Sequence, residues 1–367
     1  MADILALEEF DSTHPALAEA VRACLPYRPL YVKIKLTWLC NLRCEMCNVW
    51  RTKRKNRLTF PILQALAGDL AALGTQKVHL SGGEVLLLPN IVEIIDLFAG
   101  QGMQVNLTTN GTLLNEQMAG RLAAGGVHNV SISLDGATAR GHDRLRGKGN
   151  WKKTTKGIRR LRRAAKHARR KMHIRVNTVI TRRNYLDLAG LPELIHSLGA
   201  DRMTLIPVDD KVGNLRLNKA RIRRYNREIA PALAARALEL GLIKEEGEAY
   251  PFGVKNTQFE ASKNGGYALG LYRRQPCYMP WLHALIAPRG RVYACCMLRS
   301  QAPLGNLIDD GGFRQVWEGA AYRAFRQQML DPDRRPALCH SCDDFSETNS
   351  HLQRLLWPEL MAVGQDG

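Results

Sequence analysis

The chain has 367 residues, of which 45% are hydrophobic and 24% are charged, and it carries a formal net charge of +19. These proportions are typical of a globular protein with ample chain for a large core. No run of about 18 apolar residues occurs and the amino terminus lacks an export signal, so the sequence predicts no membrane span and a cytoplasmic location.

Nine cysteines in a chain without an export signal indicate a reducing compartment, where thiols serve metals or catalysis more often than disulfides. After a lead-in at 1–30, the spacing C-x3-C-x2-C of Cys40, Cys44 and Cys47 can place three thiolates on one loop. An iron–sulfur cubane held by three thiolates would leave its fourth iron open to a small molecule. Zinc, normally with four protein ligands, is the alternative that these three residues leave open.

A strand-then-helix rhythm begins just before these cysteines and continues to about residue 245. Strands are predicted at 31–37, 77–80, 103–108, 128–133, 172–180 and 202–207. Helices are predicted near 58–73, 90–101, 114–124, 152–170, 186–198 and 215–240. Six alternating units imply a parallel sheet with helices outside, curled into a full or partial barrel whose chemistry lies at the carboxyl ends of the strands.

Polar and glycine residues follow three of these strands, as Ser81-Gly82-Gly83-Glu84, Asn110-Gly111 and Ser133-Leu134-Asp135-Gly136. In this order behind the cysteine run, they make the chain resemble the radical S-adenosylmethionine (SAM) enzymes over roughly residues 30–210. The cysteines match that family's cluster motif, and Ser81 to Glu84 match its Gly-Gly-Glu motif. Val85 departs from the family, which commonly has proline there, but the glycines and the acid are intact.

The resemblance implies a fold and a set of cofactors. The fold is a partial (β/α)6 barrel over 31–245. The cofactors are a [4Fe–4S] cluster on Cys40, Cys44 and Cys47 and a SAM molecule on its open iron, which one electron cleaves to a 5′-deoxyadenosyl radical. A flavodoxin or ferredoxin is the usual electron donor of the family.

The resemblance also implies which residues surround SAM. Gly82 and Gly83 would let the backbone approach closely, and Glu84 or the adjoining backbone would meet the methionine ammonium group. The candidates for hydrogen bonds to ribose or methionine are short polar side chains at strand ends: Asn110, Ser133 and Asp135. Met46 would place a polarizable thioether beside adenine.

A second, small α+β domain is predicted at 250–367, with a hairpin at 282–288 and 291–296 and a helix near 313–330. Its cysteines resemble the Twitch/SPASM auxiliary-cluster domain, with Cys277, Cys295, Cys339 and Cys342 as the ligands of one auxiliary [4Fe–4S] cluster. A structural zinc is the alternative.

The neighbouring pair Cys295 and Cys296 is assigned by resemblance in spacing, with Cys295 as the ligand. Side chains of successive strand residues point to opposite faces, so Cys296 is not expected to reach the same cluster. It is either a small buried hydrophobe or a hydrogen-atom donor to a substrate radical.

Two arginines are candidates for contacting substrate. Arg146 follows the Asp135 loop at the expected mouth of the site, and Arg175 lies on the next strand. A solvated loop and a strand ion pair are their alternative interpretations. Between Lys152 and Arg175 there are twelve Lys or Arg and no acid, which favours a solvated helix face and leaves nucleic-acid binding open.

The predicted function is hydrogen abstraction from a small polar or anionic substrate, such as a sugar, aminocyclitol or nucleotide, leading to its oxidation or epimerisation. Modification of a peptide is the first alternative. It ranks second because the thirty residues before the first strand are too few for a leader-binding domain. A zinc-stapled nucleic-acid-binding protein is the alternative from another class.

Overall fold

The computed structural model describes residues 14–52, 57–210 and 214–362. The first 13 residues of the lead-in and the last five of the predicted second domain lie outside these ranges. The strands are β1 Tyr31–Thr37, β2 Lys77–Gly82, β3 Gln104–Thr109, β4 Val127–Ser133, β5 His173–Ile180, β6 Arg202–Pro207, β7 His283–Ile286, β8 Arg291–Tyr293 and β9 Gly305–Asn306.

Of the first nine helices, one lies in the predicted lead-in and the other eight in the predicted barrel. They are α1 His14–Arg22, α2 Phe60–Ala72, α3 Ile91–Ala99, α4 Glu116–Ala124, α5 Ala139–Arg146, α6 Asn150–His167, α7 Leu191–Ser197, α8 Lys219–Glu228 and α9 Ala230–Glu239. The remainder are α10 Asn256–Ser262, α11 Leu271–Arg274, α12 Phe313–Glu318, α13 Ala320–Leu330, α14 Ala337–His340 and α15 Ser346–Ala362.

All the described strands form one sheet, in the order β6-β5-β4-β3-β2-β1-β7-β8-β9. Neighbours from β6 to β7 are parallel, and β7, β8 and β9 are antiparallel to one another. The six parallel strands follow the predicted positions because the alternation of apolar and polar residues is strong. On β1, for example, Val32 and Ile34 are fully buried, whereas Lys33 and Lys35 on the other face are partly exposed.

Local chain breakers explain where the helices differ from expectation. The helix predicted at 215–240 is two helices, because Pro231 in the first turn of α9 starts a new one. The helix near 313–330 is likewise divided, at Gly319. α5 lies where we expected a loop, and its first turn is capped by Thr138, whose hydroxyl accepts a hydrogen bond from the Gly141 amide at 3.3 Å.

The carboxyl-terminal part of the chain extends the barrel sheet. Strand β7 pairs in parallel with β1, with Tyr31 opposite His283 and Ile34 opposite Ile286. The hairpin from β7 to β8 turns where the Gly290 amide donates to the Ala287 carbonyl at 3.1 Å. Arg289, which follows Pro288, has a φ of 73°, and this combination is typical of a type II turn. The division into domains at 245–250 stays a prediction, and β7 joins the two parts through one sheet.

The basic run predicted for 152–175 is largely the outer face of α6. Glu116 of α4 pairs with Arg160 at 3.1 Å and with Arg163 at 2.6 Å, and Arg162 pairs with Asp201. The opposite face of α6 is buried against the barrel. These contacts fit a solvated helix face. Within the described ranges, no helix is both long and apolar enough to cross a bilayer.

Candidate active site

Three cysteines lie on the loop that leaves the carboxyl end of β1. Each of their sulfurs accepts a hydrogen bond: Cys40 from the Leu42 amide at 3.4 Å, Cys47 from the Val49 amide at 3.4 Å, and Cys44 from Nη1 of Arg146 at 3.8 Å. Donors of this kind stabilise thiolate sulfur and tune iron–sulfur clusters. The loop therefore presents three sulfurs that suit a cluster.

The protein alone does not compensate the charge of these thiolates. Burial raises the pKa of the Cys44 thiol to about 11, although the Arg146 charge opposes the shift, and burial also raises the pKa of Cys40. A coordinated metal deprotonates its thiol ligands outright. The donor set thus fits a cationic metal centre better than free thiols.

The two glycines after β2 are required by the protein backbone itself. A Cβ at Gly82 would lie 2.3 Å from the Thr37 carbonyl oxygen, and one at Gly83 would lie 1.9 Å from the Leu39 carbonyl oxygen. The amides of Gly83 and Glu84 donate to these same two carbonyl groups, each at 2.7 Å. We expected the glycines to admit a cofactor; in the structure they admit the start of the cysteine loop.

Glu84 is almost fully buried, and its carboxylate is engaged within the protein. It accepts hydrogen bonds from the Leu86 amide at 3.1 Å, the Thr109 hydroxyl at 2.6 Å and the Asn110 amide at 2.7 Å. Burial raises the pKa of this carboxyl group, and the three donors oppose the shift. The carboxylate, one of the two predicted partners for the methionine ammonium group, is therefore occupied. Because an ammonium group donates hydrogen bonds and the Gly83 and Glu84 amides are engaged, a backbone partner for it would be a carbonyl oxygen.

Asn110 ties the cysteine loop to β3. Its Nδ2 donates to Oδ1 of Asn41 at 2.8 Å, and Asn41 Nδ2 in turn donates to the Thr112 hydroxyl at 2.9 Å. The Asn110 Oδ1 accepts from the amide and hydroxyl of Thr112. The amide group predicted to bind SAM thus holds the loop. Asn41 was missed because only the fold brings it beside Asn110.

Asp135 and Arg146 form a buried pair, which corrects the expected roles of both. Asp135 accepts from Arg146 Nε at 2.5 Å and from the Val179 amide at 2.8 Å, so both carboxylate oxygens already have protein donors. Arg146, expected at the mouth of the site, is only 10% exposed and reaches the sulfur of Cys44. The pair lies behind the cysteine loop, where the arginine contacts a predicted cluster ligand.

Ser81 has the clearest unused hydrogen-bonding capacity among the predicted SAM residues. Its side chain is 5% exposed, and its hydroxyl has no hydrogen-bond partner among the described residues. Buried hydroxyl groups are normally paired, so this one suits a bound ligand. Ser133 and Met46 are both partly exposed, at the end of β4 and on the cysteine loop.

The four predicted auxiliary ligands meet at one small cavity in the carboxyl-terminal part. Its wall includes the side chains of Cys277, Cys295, Cys339 and Cys342. Within the described ranges, no three His, Cys, Asp or Glu side chains converge on a point as the ligands of a single metal ion would. Burial raises the pKa of Cys277 to about 12 and that of Cys339 to about 11, the latter although the charge of Arg335 opposes the shift.

Cys295 and Cys296 face different surroundings, although the expected reason is wrong. β8 ends at Tyr293, so the pair lies in a bend after the strand and does not alternate along it. Cys295 lines the auxiliary cavity, whereas Cys296 packs against Leu285, Ala287 and Tyr293 and is hydrogen-bonded to Lys33 of β1.

Arg175 lies away from the cysteine loop. It lines a polar cavity of about 190 Å³ at the amino ends of the strands, together with residues such as Lys77, His128 and Arg202. The motifs discussed above lie at the opposite, carboxyl ends. A position near the start of an eight-residue strand explains this placement.

The sequence matches the family model of the radical SAM superfamily over residues 34–184, and that of the SPASM iron–sulfur cluster-binding domain over residues 277–343. It is 30% identical over 325 residues to mycofactocin maturase MftC of Mycobacterium ulcerans, a match that covers 86% of this chain and 81% of that protein. The chain belongs to the radical SAM superfamily.

Other relatives of this radical SAM enzyme match over similar lengths. The PqqA peptide cyclase of Ruegeria pomeroyi is 31% identical over 326 residues, covering 86% of this chain and 80% of that protein. The AdoMet-dependent heme synthase of Methanosarcina barkeri is 28% identical over 332 residues, covering 86% and 88%.

Solved structures share the fold of this radical SAM enzyme. Streptococcus suis SuiB bound to S-adenosylmethionine has a TM-score of 0.64 at 16% identity, covering 89% of this chain and 74% of SuiB. The enzyme anSMEcpe with bound AdoMet has a TM-score of 0.60 at 16% identity, covering 92% and 100%. The predicted fold class, a radical SAM barrel followed by a SPASM-type region, is confirmed.

Membership also decides the cofactors and the class of protein. A SAM-binding [4Fe–4S] cluster, SAM and an auxiliary iron–sulfur centre belong to this radical SAM enzyme. The family match to an iron–sulfur cluster-binding domain rules against the structural zinc that we kept as an alternative. It also rules against a zinc-stapled nucleic-acid-binding protein.

The interior of the barrel holds a group of residues that sequence reasoning missed. We call Lys33, Lys35, His79, Cys296 and Asp344 the central group. The charge of Cys296 raises the pKa of Lys33 although burial opposes the shift, and Asp344 adds to it. Burial lowers the pKa of Lys35 to about 8, and Lys33 adds to this shift, whereas the charges of Cys296 and Cys47 oppose it. The missed signal was the pair of lysines on the polar face of β1.

Proposed function

We propose that this radical SAM enzyme modifies a peptide. The observation that carries the proposal is the pair of relatives named as a maturase and a peptide cyclase, each about 30% identical over 86% of the chain. They favour the peptide alternative over the small polar substrate that we ranked first.

In this proposal, Cys40, Cys44 and Cys47 hold the SAM-binding cluster. The auxiliary cluster is held by Cys277, Cys295, Cys339 and Cys342. The fit rests on the hydrogen-bonded sulfurs of the first loop and on the shared cavity of the second set. A reduced flavodoxin or ferredoxin supplies the electron.

The residues around SAM are assigned by which of their hydrogen-bonding groups are not already engaged within the protein. The backbone of Gly83 and Glu84 meets the methionine end, since the Glu84 carboxylate is occupied. The side chains of Ser133 and Met46 face the remainder of the molecule. The hydroxyl of Ser81 has no hydrogen-bond partner among the described residues and is left for a second ligand. Asn110 holds the cysteine loop through Asn41, and Asp135 holds Arg146.

When bound, the clusters and SAM supply a 5′-deoxyadenosyl radical and an acceptor for a second electron. In an oxidation, the substrate would lose one hydrogen atom to this radical, one electron to the auxiliary cluster and one proton to its surroundings. The hydrogen atom would convert the radical into 5′-deoxyadenosine. The central group adjoins both cysteine sites, since Lys35 is within the electrostatic influence of Cys47 and Asp344 lines the auxiliary cavity. A peptide segment bound beside it is within reach of both centres.

Epimerisation is a second candidate outcome, favoured by the placement of Cys296. Its thiol is hydrogen-bonded to Lys33 of β1, apart from the auxiliary cavity, and there it can return a hydrogen atom to a substrate radical. The Cys296→Ala variant distinguishes the two outcomes. It abolishes an epimerisation, whereas it leaves an oxidation in place.

The test is an anaerobic assay of the reconstituted enzyme with SAM and a reductant. Candidate precursor peptides are compared with sugars, aminocyclitols and nucleotides, and the products are followed by mass spectrometry. We expect 5′-deoxyadenosine formation to rise with a peptide, which loses two hydrogen atoms or, in deuterated water, gains one deuteron. The Cys47→Ser variant is the control for chemistry at the first cluster. Stimulation by a small molecule and by no peptide contradicts the proposal.

A further inference from the structure

β1 places two lysines at the centre of the sheet, facing the interior of the barrel. It lies between β2 and β7, so hydrogen-bonded strands flank it on both sides. Val32, Ile34 and Leu36 alternate with the lysines and are buried on the helix side. Charged side chains are rare in such a position unless they have a partner or a function.

The two lysines have different surroundings. Lys33 is hydrogen-bonded to Cys296 and lies within the influence of the Asp344 carboxylate. Lys35 is opposite Ser81 of β2, and its charged neighbours include Lys33, Arg299 and the Cys47 thiol of the cysteine loop. Asp344 is a counter-charge to both lysines and to Arg299, and Cys296 acts on Lys35 as well, so three cations share these few anionic groups.

The neighbouring His79 also lies close to several positive charges. Burial lowers the pKa of His79 well below its usual value, and the charges of Lys33, Lys35 and Arg175 lower it further. Its ring is already engaged between Tyr31 at 2.9 Å and Thr108 at 2.6 Å. His79 is thus uncharged, and it supplies no counter-charge to the lysines.

Ser81 supplies an independent sign of a ligand at the same place. Partners in a parallel register point to the same face, so its side chain lies beside that of Lys35. The hydroxyl is buried and has no hydrogen-bond partner among the described residues. A cation and an unpaired hydroxyl donor on adjacent strands together make a site for an anion with two acceptor oxygens.

We propose that Lys35 and Ser81 bind a carboxylate group of the substrate. This inference rests on the proposed function for the identity of that substrate as a peptide. A carboxylate adds a second negative charge to that of Asp344 beside Lys33, Lys35 and Arg299, and it offers an acceptor oxygen for each donor. Since Ser81 also belongs to the motif predicted to face SAM, the bound carboxylate holds the neighbouring part of the peptide next to the reacting centre.

The test measures protection of Lys35 from acetylation by acetic anhydride in the reconstituted enzyme, with SAM present and absent. The probes are the blocked amino acids N-acetyl-glutamate methylamide and, as the matched neutral control, N-acetyl-glutamine methylamide. Mass spectrometry quantifies acetylation of Lys35 and of Lys166, an exposed lysine on the outer face of α6. The glutamate probe is expected to lower the acetylation of Lys35 about tenfold at ten times its dissociation constant, and to leave Lys166 unchanged.

Two variants accompany this measurement. Lys35→Gln is expected to lose binding of the glutamate probe in equilibrium dialysis, whereas Lys35→Arg retains it because the charge remains. The reconstituted iron content of each variant shows whether the fold and the clusters are intact. A Lys35→Gln protein with full iron content and undiminished binding of the probe overturns the proposal.

Three labelling results also overturn it: equal protection by both probes, no acetylation of Lys35 in the free enzyme, or full protection by SAM alone. The last would assign the anion site to the carboxylate of SAM. Because the labelling needs no turnover, its failure is distinct from that of the proposed function. A modified peptide without protection of Lys35 removes only the carboxylate site, and protection without any modified peptide removes only the proposed function.

Discussion

Arg146 is the residue whose expected and observed roles differ most. Its guanidinium group is held by the buried Asp135 and donates to the sulfur of Cys44. The carboxylate raises the pKa of Arg146 although burial opposes the shift, so the side chain stays charged. A fixed positive charge at a cluster ligand favours the reduced, more negative cluster. Arg146 is thus a positioning residue that acts through Cys44.

Replacing Arg146 with Gln should make the SAM-binding cluster harder to reduce. We expect its midpoint potential to fall by about 59 mV, which corresponds to a tenfold change for one electron. Redox titration followed by electron paramagnetic resonance measures the shift directly. SAM cleavage should fall with dithionite and recover with a stronger reductant.

The control variant for this prediction is Arg146→Lys, which keeps the charge and should keep most of the potential. If Arg146 only supports the fold, the Gln variant will lose cluster content while the remaining clusters titrate at the original potential. That result would contradict a role in tuning the cluster.

At the scale of elements, the site depends on how the end of β2 packs against the loop after β1. The chain after β2 crosses so close to Leu39 that a side chain at Gly83 has no room. Glu84 then bonds to the end of β3, and Asn110 bonds back to the cysteine loop. Three strand ends are thereby fixed relative to the cysteines, which is what a site held within fractions of an ångström needs.

The variant Gly83→Ala should therefore disrupt the first cluster. A methyl group 1.9 Å from the Leu39 carbonyl oxygen must displace backbone, because no flexible side chain can move aside. We expect reconstituted iron at the first site and SAM cleavage to be lost, measured by iron analysis and by 5′-deoxyadenosine formation. Gly120→Ala on α4 is the matched control, since its Cβ meets no atom within 4 Å. Normal cleavage by Gly83→Ala would contradict this explanation of the glycine.

Elements with a strong local pattern were predictable, and contacts distant in sequence were not. The alternation on β1 and β5 placed both strands within a residue or two, and the spacing of Cys40, Cys44 and Cys47 located the loop. The pairing of Arg146 with Asp135 depends on α5, a short helix with a weak local signal. The placement of Arg175 at the amino ends required the register of the sheet, which no motif encodes.

At the scale of the molecule, the sequence pattern suggested two separable domains, but the sheet runs through both. β7 pairs with the full first half of β1. The indole Nε1 of Trp281 donates to the Ala20 carbonyl at 3.1 Å, and that of Trp317 donates to the Tyr27 carbonyl at 2.7 Å. The change in rhythm after residue 245 accompanies a change from parallel pairing, up to β7, to antiparallel pairing beyond it. A shared sheet fixes the distance between the two iron–sulfur sites, which the proposed transfer of an electron from substrate to the auxiliary cluster would require.

Asp69 provides a way to test whether the chain unfolds as one unit. It lies on α2 of the barrel, and its Oδ2 accepts from the Phe313 amide at 2.7 Å and the Arg314 amide at 3.2 Å. It therefore caps the amino end of α12 in the other part of the chain. Loss of such a cap costs about 1 kcal/mol. In a single cooperative transition, Asp69→Ala should lower the melting temperature reported by far-ultraviolet circular dichroism and by iron–sulfur absorbance equally.

The exposed Asp309 offers a control, because Asp309→Ala removes the same charge and leaves this cap intact. It should leave both melting curves in place. Two separate transitions, with the Asp69→Ala shift confined to one of them, would mean that the parts unfold independently. The common sheet would then be too weak to couple them, and the boundary predicted at 245–250 would describe the molecule better than a continuous nine-stranded unit.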